Sequence, residues 1–370
     1  MALTLGIIGF AKSGKTTVFN TLTRGHAETS AYGTAATPNM GTVKVPDPRL
    51  DKLTDMFHPK KTTPATVEYV DVAGMNKGAA AAGALPGLQY IQKVEALVHV
   101  VRAFEDENLL HPEGRVDPIR DIETMTLELN FSDLAIIEKR LVKLEESIKK
   151  MRGPERETQM AEREVMVKFN EALAQDIPLR DLDLNEDELK LIRGYQFLTL
   201  KPLLTIMNLG EEKVGQAEEL LEKARAALGK HRYTGVEVLR GKIEEEISQL
   251  DEAEAAEFME ELGIHESGLG KIIHFSYNML NLISFLTAGE DEVRAWTIGR
   301  GTPALNAAGA IHSDIERGFI RAEIVAYLDL LKAGGLVEAR KLGLLRSEGK
   351  TYEMKDGDIV NFLFNVAGKK

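Results

Sequence analysis

The chain has 370 residues, 44% hydrophobic and 28% charged, with a net charge of −12 and no cysteine. That length calls for two or three domains, and that composition supports packed cores rather than disorder. The missing cysteine excludes disulfides, thiolate metal sites and thiol nucleophiles, while the acidic balance argues against a generic nucleic-acid-binding surface.

The N-terminal residues carry no basic n-region of a signal peptide, and no apolar run approaches the roughly 18 residues of a membrane span. A cytoplasmic protein without membrane contact is therefore expected. Residues 3–9 read as a first strand ending in glycine. It runs into Gly9-Phe10-Ala11-Lys12-Ser13-Gly14-Lys15-Thr16, which fits G-x-x-x-x-G-K-[ST], and a helical pattern through Val18, Phe19 and Leu22 follows. Strand, tight loop and helix start are what phosphate binding requires. Backbone N–H groups wrap the β-phosphate, and the helix end adds partial positive charge. Lys12, Ser13, Gly14, Lys15, Thr16 and Thr17 are the expected nucleotide-binding residues. Lys15 is placed to reach the β- and γ-phosphate oxygens as the catalytic cation, and the Thr16 hydroxyl to ligate Mg2+.

Thr66–Asp71 is the second expected strand. It ends in Asp71-Val72-Ala73-Gly74, a D-x-x-G sequence. Alone this signal is weak, since aspartate often caps a strand end. Downstream of a phosphate loop it makes Asp71 the candidate Mg2+ residue, acting through water, and the Gly74 N–H a γ-phosphate sensor. Ala96–Phe104, Leu203–Met207 and Val236–Leu239 complete the strand set, with helical patterns between several of them. Such alternation predicts an α/β domain with a mainly parallel sheet.

A helical insertion occupies about residues 119–199. Leu134, Ile137, Leu141, Leu144, Ile148 and Met151 step by three and four residues, which is a heptad seam. Gly153-Pro154 breaks it, and a second helix runs through Val165, Phe169 and Leu173, giving an antiparallel helical hairpin. From about Leu282 a small mixed α+β domain is expected. Its strands are Leu282–Thr287, Ala295–Ile298, Ile320–Tyr327, Thr351–Met354 and Ile359–Val366, with a short helix at Ala304–Ala310. The charge is uneven. Residues 242–266 hold one lysine and ten acids, whereas Lys139–Arg156 holds seven basic residues against three acidic ones. The basic run falls towards the hairpin tip.

The order of phosphate loop, Asp71-x-x-Gly74, helical insertion and Asn208-Leu209-Gly210-Glu211 resembles the Obg-like ATPases of the YchF type. Flanking strings agree across essentially the whole chain, among them Val45-Pro46-Asp47-Pro48-Arg49-Leu50, Glu316-Arg317-Gly318-Phe319-Ile320-Arg321-Ala322 and Lys355-Asp356-Gly357-Asp358. The resemblance implies a P-loop nucleotide domain (1–118 plus 200–281), an inserted antiparallel coiled coil (119–199) and a C-terminal TGS domain of β-grasp type (282–368). It implies a slow, Mg2+-dependent hydrolase that prefers ATP over GTP and associates with ribosomes, expected here as a monomer, with the basic hairpin tip Lys139–Arg156 the candidate contact with rRNA phosphate. Two alternatives stand beside it: a nucleotide-gated scaffold with negligible turnover, and a GTPase of the Obg group.

The base preference has a physical reading. Related GTPases present N-K-x-D, whose aspartate accepts two guanine hydrogen bonds. Here Asn208, Leu209 and Glu211 take those places, with an apolar residue for the lysine and an acid one methylene longer. A misplaced acceptor forfeits much of the guanine preference. Arg240 and Gly241 stand where the family has a small pair covering the base. Met75 follows Gly74, where GTPases carry a water-orienting glutamine, and a thioether cannot perform that role. The family's substitute is a histidine on a loop after the third strand, which maps to His111.

Other positions depart from the family. Lys12 replaces an asparagine that in related GTPases ligates potassium, and its ammonium would supply that charge if turned inward. The switch threonine position is Ala35, with Thr34 and Thr37 as neighbours. The segment Ala79–Ala84 is alanine-rich and two residues shorter.

Overall fold

A computed structural model of the chain describes residues 3–23, 38–72, 74, 75, 77–80, 87–210, 217–229, 231–262, 264 and 267–365. The chain begins β1 (Leu3–Ile8), α1 (Lys15–Thr23), β2 (Asn39–Lys44), α2 (Pro48–Phe57), β3 (Lys61–Thr63) and β4 (Thr66–Asp71). Next come α3 (Leu88–Ile91), β5 (Ala96–Ala103), α4 (Pro118–Ile148), α5 (Pro154–Leu173) and α6 (Glu186–Ile192). Then follow β6 (Leu203–Leu209), α7 (Ala217–Leu228), β7 (Thr234–Leu239), α8 (Gly241–Gln249), α9 (Glu252–Glu261) and α10 (Gly268–Met279). The C-terminal part runs β8 (Leu282–Ala288), β9 (Glu292–Gly299), α11 (Ala304–Ile311), α12 (Ser313–Arg317) and β10 (Phe319–Ala326). It ends with α13 (Tyr327–Ala333), α14 (Leu336–Lys341), β11 (Arg346–Glu348) and β12 (Asp358–Phe364). Two compact units result, residues 1–42 with 68–272, and residues 43–67 with 273–370.

The first unit is built on a sheet of order β2-β4-β1-β5-β6-β7. β1, β5, β6 and β7 pair in parallel, with Ile8 opposite His99 and Leu97 opposite Leu203. Every residue of β5 is buried, as expected for a central strand covered on both faces, which reads as a continuous apolar run. Asp117 caps α4 by accepting the Arg120 amide, and Pro118 sits at its first turn, where a missing N–H costs nothing.

α4 does two jobs. Near its start, Ile122, Met125 and Leu129 pack into the cores around the sheet. Further out, Ile137 and Leu144 join Val165, Met166 and Phe169 of α5, so the expected heptad seam is the hairpin's packing face. Gly153, at φ 72°, turns the chain between the helices, a conformation glycine adopts without Cβ strain. The basic run is distributed differently from the expectation. Helix ends at Ile148 and Pro154 leave only Lys149, Lys150, Arg152 and Arg156 at the tip, all exposed. Lys139 lies about 15 Å back along the helix. Arg140 is engaged by Glu162 of α5 at 2.7 Å.

The second unit has a sheet of order β11-β10-β12-β8-β9-β3. β8 and β9 form an antiparallel hairpin, β12 lies parallel to β8, and β10 runs antiparallel to β12. This is the β-grasp arrangement, and α11 packs Ala304, Ala307 and Ala308 into its core beside Phe285, Phe319 and Phe362. Residues 43–67, expected with the nucleotide domain, pack here instead. β3 extends the sheet beside β9, and the Thr63 hydroxyl donates to Glu292 Oε1 at 2.6 Å. Arg49 at the start of α2 reaches Asp356 at 2.8 Å. The physical reason is that β9 would otherwise be an open sheet edge, which β3 covers. One expected strand is also corrected. Within Thr351–Met354 only Glu353 makes an isolated bridge, to Pro303, and β11 takes the edge next to β10.

Candidate nucleotide-binding site

The loop between β1 and α1 has the backbone of an anion cradle. Lys12 (φ 64°) and Gly14 (φ 90°) are left-handed, and alternation of this kind turns successive N–H groups to one side. The amide of Val18 donates to the Gly14 carbonyl at 2.9 Å, opening the helix. The amides before it are those that a helix N-terminus leaves without internal partners. Glycine is required at position 14 by more than φ, since a Cβ there would lie 2.3 Å from Asn208 Nδ2.

Lys15 is buried, and its ammonium donates to the Phe10 carbonyl at 2.9 Å. Burial lowers its pKa to about 8, against the opposing pull of Asp71. The Thr16 hydroxyl donates to Asp71 Oδ2 at 2.9 Å. Burial raises the Asp71 pKa, while Thr16, Lys15 and Asn39 hold it down. Asp71 Oδ1 is buried without a partner among the described residues. An orphaned carboxylate oxygen beside a hydroxyl is an all-oxygen donor set suited to Mg2+, which keeps several waters and takes its remaining ligands from phosphate. No larger cluster of His, Asp or Glu able to hold a metal occurs among the described residues.

Gly74 closes over the loop, for a Cβ there would lie 3.2 Å from Lys15 Nζ. Met75 is pinned to the loop as well. Its amide donates to the Gly9 carbonyl at 3.0 Å, and its carbonyl accepts the Ala11 amide at 3.3 Å. The Met75 side chain is 1% exposed and lies in the core with Phe10, Ala80 and Leu97. Asn208, at the end of β6, joins two loops: Nδ2 donates to the Ser13 carbonyl at 3.2 Å, and Oδ1 accepts the Gly241 amide at 3.1 Å. Leu209, expected beside the base, is buried in the core with Val101, Met207 and Leu221 instead, and Arg240 is half-buried at the start of α8. Lys12 and Thr17 are half-buried, and Ser13 Oγ is buried without a partner among the described residues. Thus Ser13, Gly14, Lys15, Thr16, Asp71, Gly74, Asn208 and Gly241 come together.

His111 is not brought into this group. It is 7% exposed, and its Nδ1 accepts the Glu113 amide at 3.1 Å. That leaves Nε2 as the protonated nitrogen, donating to Asp121 Oδ2 at 2.9 Å. Glu211, the threonines and alanine at 34, 35 and 37, and residues 81–84 lie outside the described residues.

Three residues escaped the sequence reading. Arg102, inside an apolar strand, turns its guanidinium to the carbonyls of Phe104 and Leu109 at 3.1 and 2.8 Å and so shapes the loop leading to His111. Glu128 and Asp133 lie on the buried face of α4. Charged residues at helical spacing with Met125, Leu129 and Ser132 were the available signal.

A phosphate loop after a central parallel strand, a buried lysine inside it and a Thr–Asp oxygen pair define a P-loop nucleotide-binding protein. Residues 4–140 match the family described as a 50S ribosome-binding GTPase, and residues 282–365 match YchF-GTPase_C, described as a protein of unknown function. The chain is 45% identical to the ribosome-binding ATPase YchF of Bacillus subtilis (strain 168), covering 99% of this chain and 100% of that protein. It is 41% identical to the protein of the same name from Escherichia coli O157:H7, with the same coverage. The Schizosaccharomyces pombe YchF GTPase structure superposes with a TM-score of 0.83 at 34% identity, covering 98% of this chain and 97% of that one. The chain belongs to the YchF family.

Proposed function

We propose that the chain is a slow Mg2+-dependent ATP hydrolase whose nucleotide state governs its association with the ribosome in the cytoplasm. The observation that carries this reading is the grouping of Lys15, Thr16 and the orphaned Asp71 oxygen around the phosphate loop. Lys15 exchanges the Phe10 carbonyl for phosphate oxygens. Thr16 and, through water, Asp71 hold Mg2+, which when bound neutralises charge on the β- and γ-phosphates. Gly74 offers its N–H to the γ-phosphate, and Asn208 fixes the loops on either side of the base. Leu209 and Glu211 in place of lysine and aspartate favour adenine over guanine. The ribosome enters through the names of the B. subtilis and E. coli relatives, both called ribosome-binding, and through the exposed cations of the hairpin tip.

Slow turnover has two supports. Met75 is committed to the core, and His111 is committed to Asp121 and must leave it to orient a water. The same observations favour the scaffold reading as the second choice. Phosphate release from ATP and from GTP, for wild type and Lys15→Ala, separates the readings. Equal rates in the two proteins would reject hydrolysis, and equal competition by the two nucleotides would reject the adenine preference. No helix among the described residues is long and apolar enough to cross a membrane.

A further inference from the structure

The segment after Gly74 is fastened to the root of the helical arm by one side chain. Glu128, on α4, accepts the Gly78 amide on Oε1 at 2.5 Å and the Ala80 amide on Oε2 at 2.9 Å. Its side chain is 4% exposed, and no cation pairs with it among the described residues. A buried carboxylate without a counter-ion is costly unless hydrogen bonds satisfy it, and here two backbone N–H groups do so. Glycine at 78, with φ 80°, aims its amide at the carboxylate. The same helix carries Asp133, which accepts the amides of Leu198 and Thr199 at 2.9 and 2.8 Å, shortly before β6, the strand that carries Asn208. α4 is thus joined through carboxylates to the segment beyond the γ-phosphate sensor and to the strand leading to the base loop.

We propose that Glu128 is a positioning residue for ATP hydrolysis. It holds Gly78–Ala80 in register on α4, so that Gly74 and Met75 keep their place over the phosphate loop, and it is the joint through which nucleotide state reaches the arm. This rests on the ATP-hydrolase reading above. The chain between sensor and clamp is short. Met75 is bonded to Gly9 and Ala11, and Gly78 follows three residues later. Lys77, between them, pairs with Glu113 at 3.3 Å, next to the amide that His111 receives.

The test uses the full-length chain with Glu128→Gln, which keeps the shape but only one acceptor, and Glu128→Ala. Glu123→Gln, at an exposed position on the same helix, is the control. Hydrogen exchange of the peptide spanning residues 77–80 in the nucleotide-free protein should quicken about tenfold in Glu128→Ala and less in Glu128→Gln. ATP affinity should stay within about twofold while kcat changes about fivefold or more, a split that a general loss of stability would not produce. The exchange difference in α4 between nucleotide-free and ATP-analogue-bound protein should vanish. Unchanged exchange at 77–80 in both variants overturns the clamp, and an unchanged kcat overturns its role in hydrolysis. The exchange measurement needs no turnover. A wild type that fails to hydrolyse ATP would sink the functional reading while the clamp was still tested on its own.

Discussion

Thr16 Oγ1 donates to Asp71 Oδ2 at 2.9 Å, and Oδ1 of the same carboxylate is buried without a partner among the described residues. The hydroxyl fixes the carboxylate's orientation, and in the proposed Mg2+ site the free oxygen would hold a water of the metal shell. Asp71→Asn keeps the shape and loses the charge. Mg2+ dependence of ATP binding should shift to about 10–100-fold higher metal, the range for losing an outer-shell partner. A Mg2+ titration of fluorescent-nucleotide binding measures it, and an unshifted midpoint would remove Asp71 from the metal site.

With Lys15 binding phosphate as proposed, nucleotide affinity should depend on pH. Its ammonium, lowered to about 8 by burial, must be protonated to meet phosphate. Binding therefore takes up a proton above about pH 8, and affinity should fall about tenfold per pH unit from there towards 10. Stability of the free protein moves the other way in the same window. The unfolded chain, with lysine near its ordinary value, binds more protons, so the native state gains as pH rises. Titrations at pH 7, 8 and 9 check the first statement. Lys15→Ala should give weak binding with a flat profile.

Asn208 bridges Ser13 and Gly241, so its removal should loosen the phosphate loop and the base loop together. Leaving those buried groups unpaired costs about 1–3 kcal/mol each. Asn208→Ala should weaken ATP and GTP binding by about tenfold or more, and to a similar degree. A loss confined to one nucleotide would make Asn208 a reader of the base instead.

Four exposed cations crown the hairpin, Lys149, Lys150, Arg152 and Arg156. Reversing all four to glutamate should weaken ribosome co-sedimentation and flatten its log–log salt dependence by about three units, if each meets one phosphate. Reversing Lys139 and Lys143, which lie down the shaft, should do less. Equal effects from the two sets would spread the contact along the arm.

The legible features were those coded by neighbours in sequence. The phosphate loop is eight contiguous residues whose glycines, lysine and threonine declare their backbone and chemistry, and the heptad seam of α4 repeats every turn. Both needed no knowledge of what lies across the fold. What packing alone decided was pairing between distant segments. Residues 43–67 join the β-grasp unit because β9 has an open edge, which no local pattern announces. Met75 turns into the core and His111 is tied to Asp121 because their neighbours come from other elements. Glu128 reads in sequence as one more helix acid. Only burial removes its water and leaves it two amides from a segment some fifty residues away. A carboxylate's meaning depends on what replaces its solvent, and that is set by tertiary structure.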